Sequence, residues 1–240
     1  MTFANTVPIV VIALMLGACA GTPGSSFPTD PWEPANRRIH AFNTGLDRVT
    51  LKPIAKGYRK AIPGFMRRGV NNFFTNLRSP LTIANQLLQG KGRTALSDTG
   101  RLLLNSTVGI GGLFDPATRI GLEQHDEDFG QTLAVWGIAD GPFVTLPILG
   151  PRNLRDAVAI PLNFLAHPLT HYGNSSVRDK LWGLEAINVR TRLLRADGLI
   201  EDSADPYVTI RDAYQQNRRY KIFDGDPPQE DDDLFEEFAD

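Results

Sequence analysis

Apolar residues recur along most of this chain with the spacing of helices rather than of strands. Ile39, Phe42, Leu46 and Val49 fall three or four positions apart, behind an Asp30-Pro31 pair that reads as a cap and first-turn proline. Phe65, Val70, Phe73, Phe74 and Leu77 continue the period after Pro63. Ser79-Pro80 then reads as the start of another helix, with Leu81, Ala84, Leu87 and Leu88 on one face and Gly90 at its end. A further helix is predicted over Arg93 to Thr107. Past it, Ser175-Ser176 caps a longer one that carries Val177, Leu181, Leu184, Ile187 and Leu194 and stops near Gly198, and Asp205-Pro206 opens the last, to about Arg219. Phe143 to Leu149 is the best strand candidate, but Pro142, Pro147 and Pro151 argue against a ladder position. Pro151 reads instead as the start of a helix that Pro161 kinks. The pattern predicts an all-α protein.

Three blocks are more apolar than the rest: Leu102 to Phe114, Pro142 to Leu149 and Ala157 to Leu165. None reaches the roughly 20 residues that a membrane-spanning helix needs. Runs of this length serve as buried core helices or as interfacial segments, and the spacing leaves both open. Gly109, Gly111 and Gly112 break the first block, either as a turn between helices or as a bend at a membrane surface.

The N-terminus changes the weight of these readings. Residues 1–18 carry no charge, hold the apolar core Val7 to Leu16, and end in Leu16-Gly17-Ala18-Cys19. A short apolar core followed by small residues is a secretory signal. Its Leu-Gly-Ala-Cys end resembles the bacterial lipobox, in which cleavage precedes a cysteine whose thiol takes a diacylglycerol. The chain holds one Cys, so Cys19 has no internal disulfide partner and lipidation gives it a use. Position 20 is Ala rather than Asp, which in bacterial lipoproteins of the common type predicts sorting to the outer membrane. The one departure is the lack of Lys or Arg before the apolar core, which points to a start codon set elsewhere. The expected organisation is a signal peptide over 1–18, a lipidated Cys19 with a flexible tether over 19–29, a helical domain over 30–223, and an acidic, disordered tail over 224–240.

Charge follows the same division. Residues 30–101 carry 13 Lys/Arg against 4 Asp/Glu, and residues 224–240 carry 9 acidic groups and no basic one. Such a basic segment could face nucleic acid or anionic lipid headgroups, but its Lys and Arg are dispersed rather than packed in a run, which suits a solvated helix face or a membrane surface.

Little in the chain points to catalysis. His125-Asp126-Glu127-Asp128 gathers ligand-type groups, but neighbours in sequence point different ways, and a solvated loop accounts for the run. His167 and His171 are interrupted by Pro168. No Gly-x-Ser-x-Gly elbow surrounds Ser106, Ser175 or Ser176, and no phosphate-cradling Gly-x-x-x-x-Gly-Lys occurs. The reading is a non-enzyme with no cofactor, no metal site and no nucleic-acid partner.

Several collinear blocks resemble the MlaA (VacJ) lipoproteins of Gram-negative bacteria. They are Asp30-Pro-Trp-Glu-Pro-Ala-Asn-Arg37 with Phe42-Asn43, Asn71 to Leu77, Asn85 to Gly90, Arg101 to Asp115, Phe129-Gly-Gln-Thr-Leu133, Gly141 to Pro147, and Asp205-Pro-Tyr207. The resemblance covers roughly Asp30 to Tyr220. It implies a ring-like bundle of amphipathic helices with a short glycine-broken apolar hairpin, embedded in one leaflet, the inner leaflet of the outer membrane. It further implies removal of mislocalised phospholipid from the outer leaflet, passed through a central channel to a periplasmic carrier of the MlaC type, with a trimeric porin as membrane partner. By the same match, Gly109, Gly111 and Gly112 form a hinge beside the channel, and stiffening it, for instance by Gly111→Pro, is expected to reduce lipid export without unfolding. The alternatives are a scaffolding lipoprotein of the cell envelope and, more remotely, a phospholipase.

Overall fold

The computed structural model describes residues 30–228, and these are mostly helical. The expected signal peptide, Cys19, its tether and most of the acidic tail fall outside the described residues. The helices are α1 (Glu33–Val49), α2 (Leu51–Ala61), α3 (Gly64–Leu88), α4 (Gly92–Thr107), α5 (Pro116–Arg119), α6 (Phe129–Val135), α7 (Leu154–Ala166), α8 (Ser175–Leu193), α9 (Asp197–Glu201) and α10 (Pro206–Ile222). A 3₁₀ turn over Pro168–His171 joins α7 to α8. No helix among the described residues is long and apolar enough to cross a membrane.

Local chemistry explains most boundaries. Asp205 caps α10 by accepting from the Tyr207 and Val208 amides, with Pro206 in the first turn. Asp128 caps α6 through Gln131, and Asn153 caps α7 through Asp156. Asn174, one residue ahead of the expected Ser175-Ser176, caps α8. Three expectations are corrected. Asp30 does not cap α1; its carboxylate accepts from the Asn36 side chain at 2.9 Å and from the Tyr207 hydroxyl, tying the chain's start to α10. Ser79-Pro80 does not open a helix but lies inside α3, where the Ser79 hydroxyl donates to the Thr75 carbonyl at 3.1 Å. Pro151 begins no helix, because it belongs to a hairpin.

That hairpin pairs β1 (Phe143–Leu146) antiparallel with β2 (Gly150–Asn153), Pro151 opposite Thr145. Its free edge is completed by α1. The Asn36 amide donates to the Phe143 carbonyl and its oxygen accepts from the Thr145 amide; Asn43, seven residues on, does the same for Leu146 and Ile148, all at 2.7–3.1 Å. Two asparagine side chains thus replace a third strand, and a proline on β2 is tolerated because β2 is itself an edge. Salt bridges close the outside of this arrangement: Arg37 forks onto Asp205, and Arg190 bridges Asp47 and Asp197.

Helix α4 returns along α3, α2 lies against α8, and α6 against α7, with α3 also touching α8, α6 and the 3₁₀ turn. The interior these helices enclose is polar. Among the described residues, ten apolar side chains are buried against nineteen polar or charged ones. Conversely, large apolar side chains stand exposed around the outside, among them Val49, Phe65, Leu87, Leu96, Leu103, Ile110, Ile120 and Ile148, each more than 60% exposed. On α3 the expected apolar face holds only at Leu81, which is buried. Thr82, Asn85 and Gln86 are buried while Leu87 and Leu88 face out.

Candidate functional site

Each helix around the interior contributes a polar stripe at helical spacing. From α3 come Asn71, Thr75, Arg78 and Thr82; from α4, Asp98, Arg101 and Asn105; from α8, Glu185, Asn188 and Arg192; from α10, Tyr214, Asn217, Arg218 and Lys221. These stripes line two cavities. The first, about 150 Å³, lies among α3, α4 and α8. The second, about 500 Å³, lies among α3, α7, α8, α10 and the segment 126–128 and has a more apolar wall that includes Leu81, Ile160, Phe164 and Trp182. Among the described residues only Arg78 and Asp126 line both cavities. Their ion pair, at 3.5 Å, forms the junction.

The walls are fixed by buried networks. In the first cavity Asp98 accepts from the Gln86 amide at 2.6 Å and pairs with His125 at 2.9 Å, while Arg101 bonds Asp115 and Thr118 and Asn105 holds Asp115. In the second, Arg218 forks onto Asp128 with two bonds of 2.7 Å and reaches Asp156 at 2.9 Å. Tyr214 also donates to Asp156. Burial pushes the Asp128 carboxyl up, but the Arg218 fork outweighs it and holds Asp128 below the usual carboxylate range. Asp126 is held down in the same way, its burial outweighed by Lys221 at 2.6 Å and by Arg78. Glu127 accepts from Gln89, Lys91 and Gln131, yet burial leaves its carboxyl raised.

The His125 to Asp128 run is therefore no solvated loop. Its four side chains meet four different sets of partners: Asp98, Lys221 with Arg78, Lys91 with two glutamines, and Arg218, with Glu127 alone buried. No group of His, Cys, Asp and Glu among the described residues is arranged to hold a metal ion. His167 lies buried in the wall of the second cavity, 4.7 Å from the Trp182 ring, and its Nε2 has no hydrogen-bond partner. Burial, aided by the Arg78 charge, lowers its pKa to about 4. His171 is on the surface and bonds the Leu165 carbonyl. Several other buried polar atoms, including Gln86 Oε1, Gln131 Oε1 and Glu185 Oε2, find no protein partner. Such atoms suit a hydrated interior.

Gly109, Gly111 and Gly112 fall in the turn after α4, behind the first cavity. A Cβ on Gly109 would meet the Asn105 and Phe114 carbonyl oxygens at 2.4 Å, and one on Gly112 would meet Asn76 Cβ at 2.5 Å. Gly111 stands in open space with φ +66°, a backbone that proline, fixed near −65°, does not adopt. The turn's Val108, Ile110, Leu113 and Phe114 are all exposed.

Sequence reasoning missed the polar stripes. Their signal was present as a second helical period of Asn, Thr, Arg and Asp out of phase with the leucines, which an apolar reading passes over.

A family model described as MlaA lipoprotein matches residues 28–221. An uncharacterized protein of Rickettsia typhi is 37% identical over 195 residues, spanning 80% of this chain and 78% of the relative. The intermembrane phospholipid transport system lipoprotein MlaA of Escherichia coli K12 is 33% identical over 222 residues, 90% of this chain and 88% of that protein. A solved structure from work on the structural basis for maintenance of bacterial outer membrane lipid asymmetry superposes with a TM-score of 0.71 at 34% identity, covering 82% of this chain and all of the other.

Proposed function

Because this chain belongs to the MlaA lipoprotein family, we propose that it carries phospholipid out of the outer leaflet of the outer membrane and so maintains that membrane's lipid asymmetry. One observation supports the reading above the others: the body is polar inside and apolar outside, with two cavities joined at Arg78 and Asp126. A phospholipid headgroup needs a wet, polar path, and the polar stripes supply one. The surroundings of the protein must take the exposed leucines and isoleucines, and acyl chains do so.

In this reading the protein is lipid-anchored through Cys19, sits in the inner leaflet on the periplasmic face, and makes and breaks no covalent bond. Lipid leaves it for a soluble periplasmic carrier of the MlaC type, and a trimeric porin holds it in the membrane. The Gly109 to Gly112 turn acts as a hinge whose apolar tip rests among acyl chains. Proline at 111 would distort the turn outright, so Gly111→Ala is the milder test of the hinge; it should slow lipid export and cost about 1 kcal/mol of stability.

The direct test is the outer-leaflet phospholipid content of cells lacking the gene, complemented with wild type or with Cys19→Ala. Accumulation at the surface that only the wild type reverses supports both the role and the anchor. Normal surface phospholipid in the deleted strain overturns the role and favours a scaffold.

A further inference from the structure

The junction between the two cavities has the chemistry of a receptor for a zwitterion. Arg78 is half-exposed, and its one ion pair among the described residues, to Asp126 at 3.5 Å, is loose, because Asp126 is already satisfied by Lys221 at 2.6 Å. Arg192 lines the same first cavity and forms no ion pair with any described carboxylate. Among the other cations of these walls, Arg101 is held by Asp115 and Thr118, Arg218 by Asp128 and Asp156, and Arg152 in the second cavity lies 5.9 Å from the Tyr214 ring centroid and bonds the Pro151 carbonyl. In the first cavity, then, Arg78 is only loosely paired and Arg192 has no carboxylate partner among the described residues, and Arg78 also lines the second cavity.

Glu185 is the converse case. It lines the first cavity from α8, seven residues before Arg192, and its Oε2 is buried with no hydrogen-bond partner. Burial raises its carboxyl above the usual range against the opposing charges of Arg78 and Arg192. A carboxylate kept near two cations yet bonded to neither retains capacity for an outside donor.

We propose that Arg78 and Arg192 take the phosphodiester of a phospholipid and Glu185 takes the ammonium of its headgroup, so that the passage admits phosphatidylethanolamine in preference to phosphatidylglycerol. This rests on the lipid-passage reading above. Arginine suits the phosphate because its planar fork meets two oxygens at once. Glycerol in place of ethanolamine leaves Glu185 facing a hydroxyl, with two arginines still served. The neighbouring aromatic and aliphatic wall of Leu81, Ile160, Phe164 and Trp182 covers the start of the acyl chains on the other side of the junction. That cover commits the site to a lipid rather than to free phosphate.

The test uses the full lipidated chain in nanodiscs of equimolar phosphatidylethanolamine and phosphatidylglycerol, with bound lipid read by native mass spectrometry. Wild type should carry ethanolamine lipid at an excess of about threefold or more, a half-exposed charge-assisted contact being worth that much. Glu185→Gln, which is isosteric, should keep its bound lipid but bring the ratio to one. Arg78→Gln should lower total bound lipid several-fold, and Arg78→Lys should restore part of it, with circular dichroism unchanged in each. A wild-type ratio of one, or a Glu185→Gln ratio equal to wild type, overturns the headgroup assignment while leaving the passage intact. Wild-type protein with no bound lipid overturns the passage and this inference together.

Discussion

The interior and the exterior of this protein obey opposite rules. Inside, Asn85, Gln86, Asp98, Arg101, Gln131, Asp156 and Arg218 are buried and largely bonded to one another; outside, Leu96, Leu103, Ile110 and Ile148 face outward unpaired. In water this distribution would be costly twice over, through desolvated charge within and hydrated hydrocarbon without. In lipid around a wet passage each half is in its favoured solvent. On the proposed reading, polar burial marks nearness to the passage, and the exposed apolar side chains away from the cavities mark the face toward acyl chains.

The interior should be the unforgiving half. Arg218→Ala leaves Asp128 and Asp156 buried without their fork, and is expected to cost about 4 kcal/mol, read as a large drop in the thermal midpoint of detergent-solubilised protein. An unchanged midpoint would mean that the network is ornamental. Gly130→Ala comes next. Its Cβ would lie 2.3 Å from both Arg218 Nη2 and Asp156 Oδ1, so the fork must shift, at about 3 kcal/mol.

A smaller effect separates the halves by pH. His167 has a pKa of about 4 in the folded protein against about 6.5 unfolded, so it stays neutral in the fold while the unfolded chain takes up a proton. Stability should therefore fall as pH drops from about 6.5 to about 4 and level off below, losing about 2 kcal/mol from this residue once water in the cavity is allowed for. His167→Asn should remove that part of the slope, in a series of melts at stepped pH. Smallest of all, Leu103→Ser on the exterior should change detergent stability by no more than about 0.5 kcal/mol, because most of its side chain is exposed. The same change should weaken retention in membranes. A loss of several kcal/mol in detergent would erase the contrast between the two halves.

How much of this could be read from the chain differs between the halves too. Helix positions followed from period and caps, as at Asp205-Pro206, and the MlaA-like blocks carried the family. The inward faces were not legible, because the rule that leucines mark the core fails where lipid lies outside. The roles of Asp126 and Asp128 depend on Lys221 and Arg218, 95 and 90 residues away. Nothing local marks such pairs. Likewise the β1 edge is completed by Asn36 and Asn43, more than 100 residues earlier. Pro80, by contrast, misled locally: it looked like a helix start, yet sits inside α3 with Ser79 bonded back to Thr75.

The central claim, a wet interior inside an exterior sunk in lipid, is tested most directly by thiol labelling in native membranes. Thr75→Cys lines the first cavity, and Leu103→Cys lies on the outer face, 62% exposed on the bare protein. A charged, membrane-impermeant methanethiosulfonate reagent should label Thr75→Cys and spare Leu103→Cys, and detergent extraction should then open Leu103→Cys to the reagent. Fast labelling of Leu103→Cys in the intact membrane, with Thr75→Cys unreactive, would contradict the account.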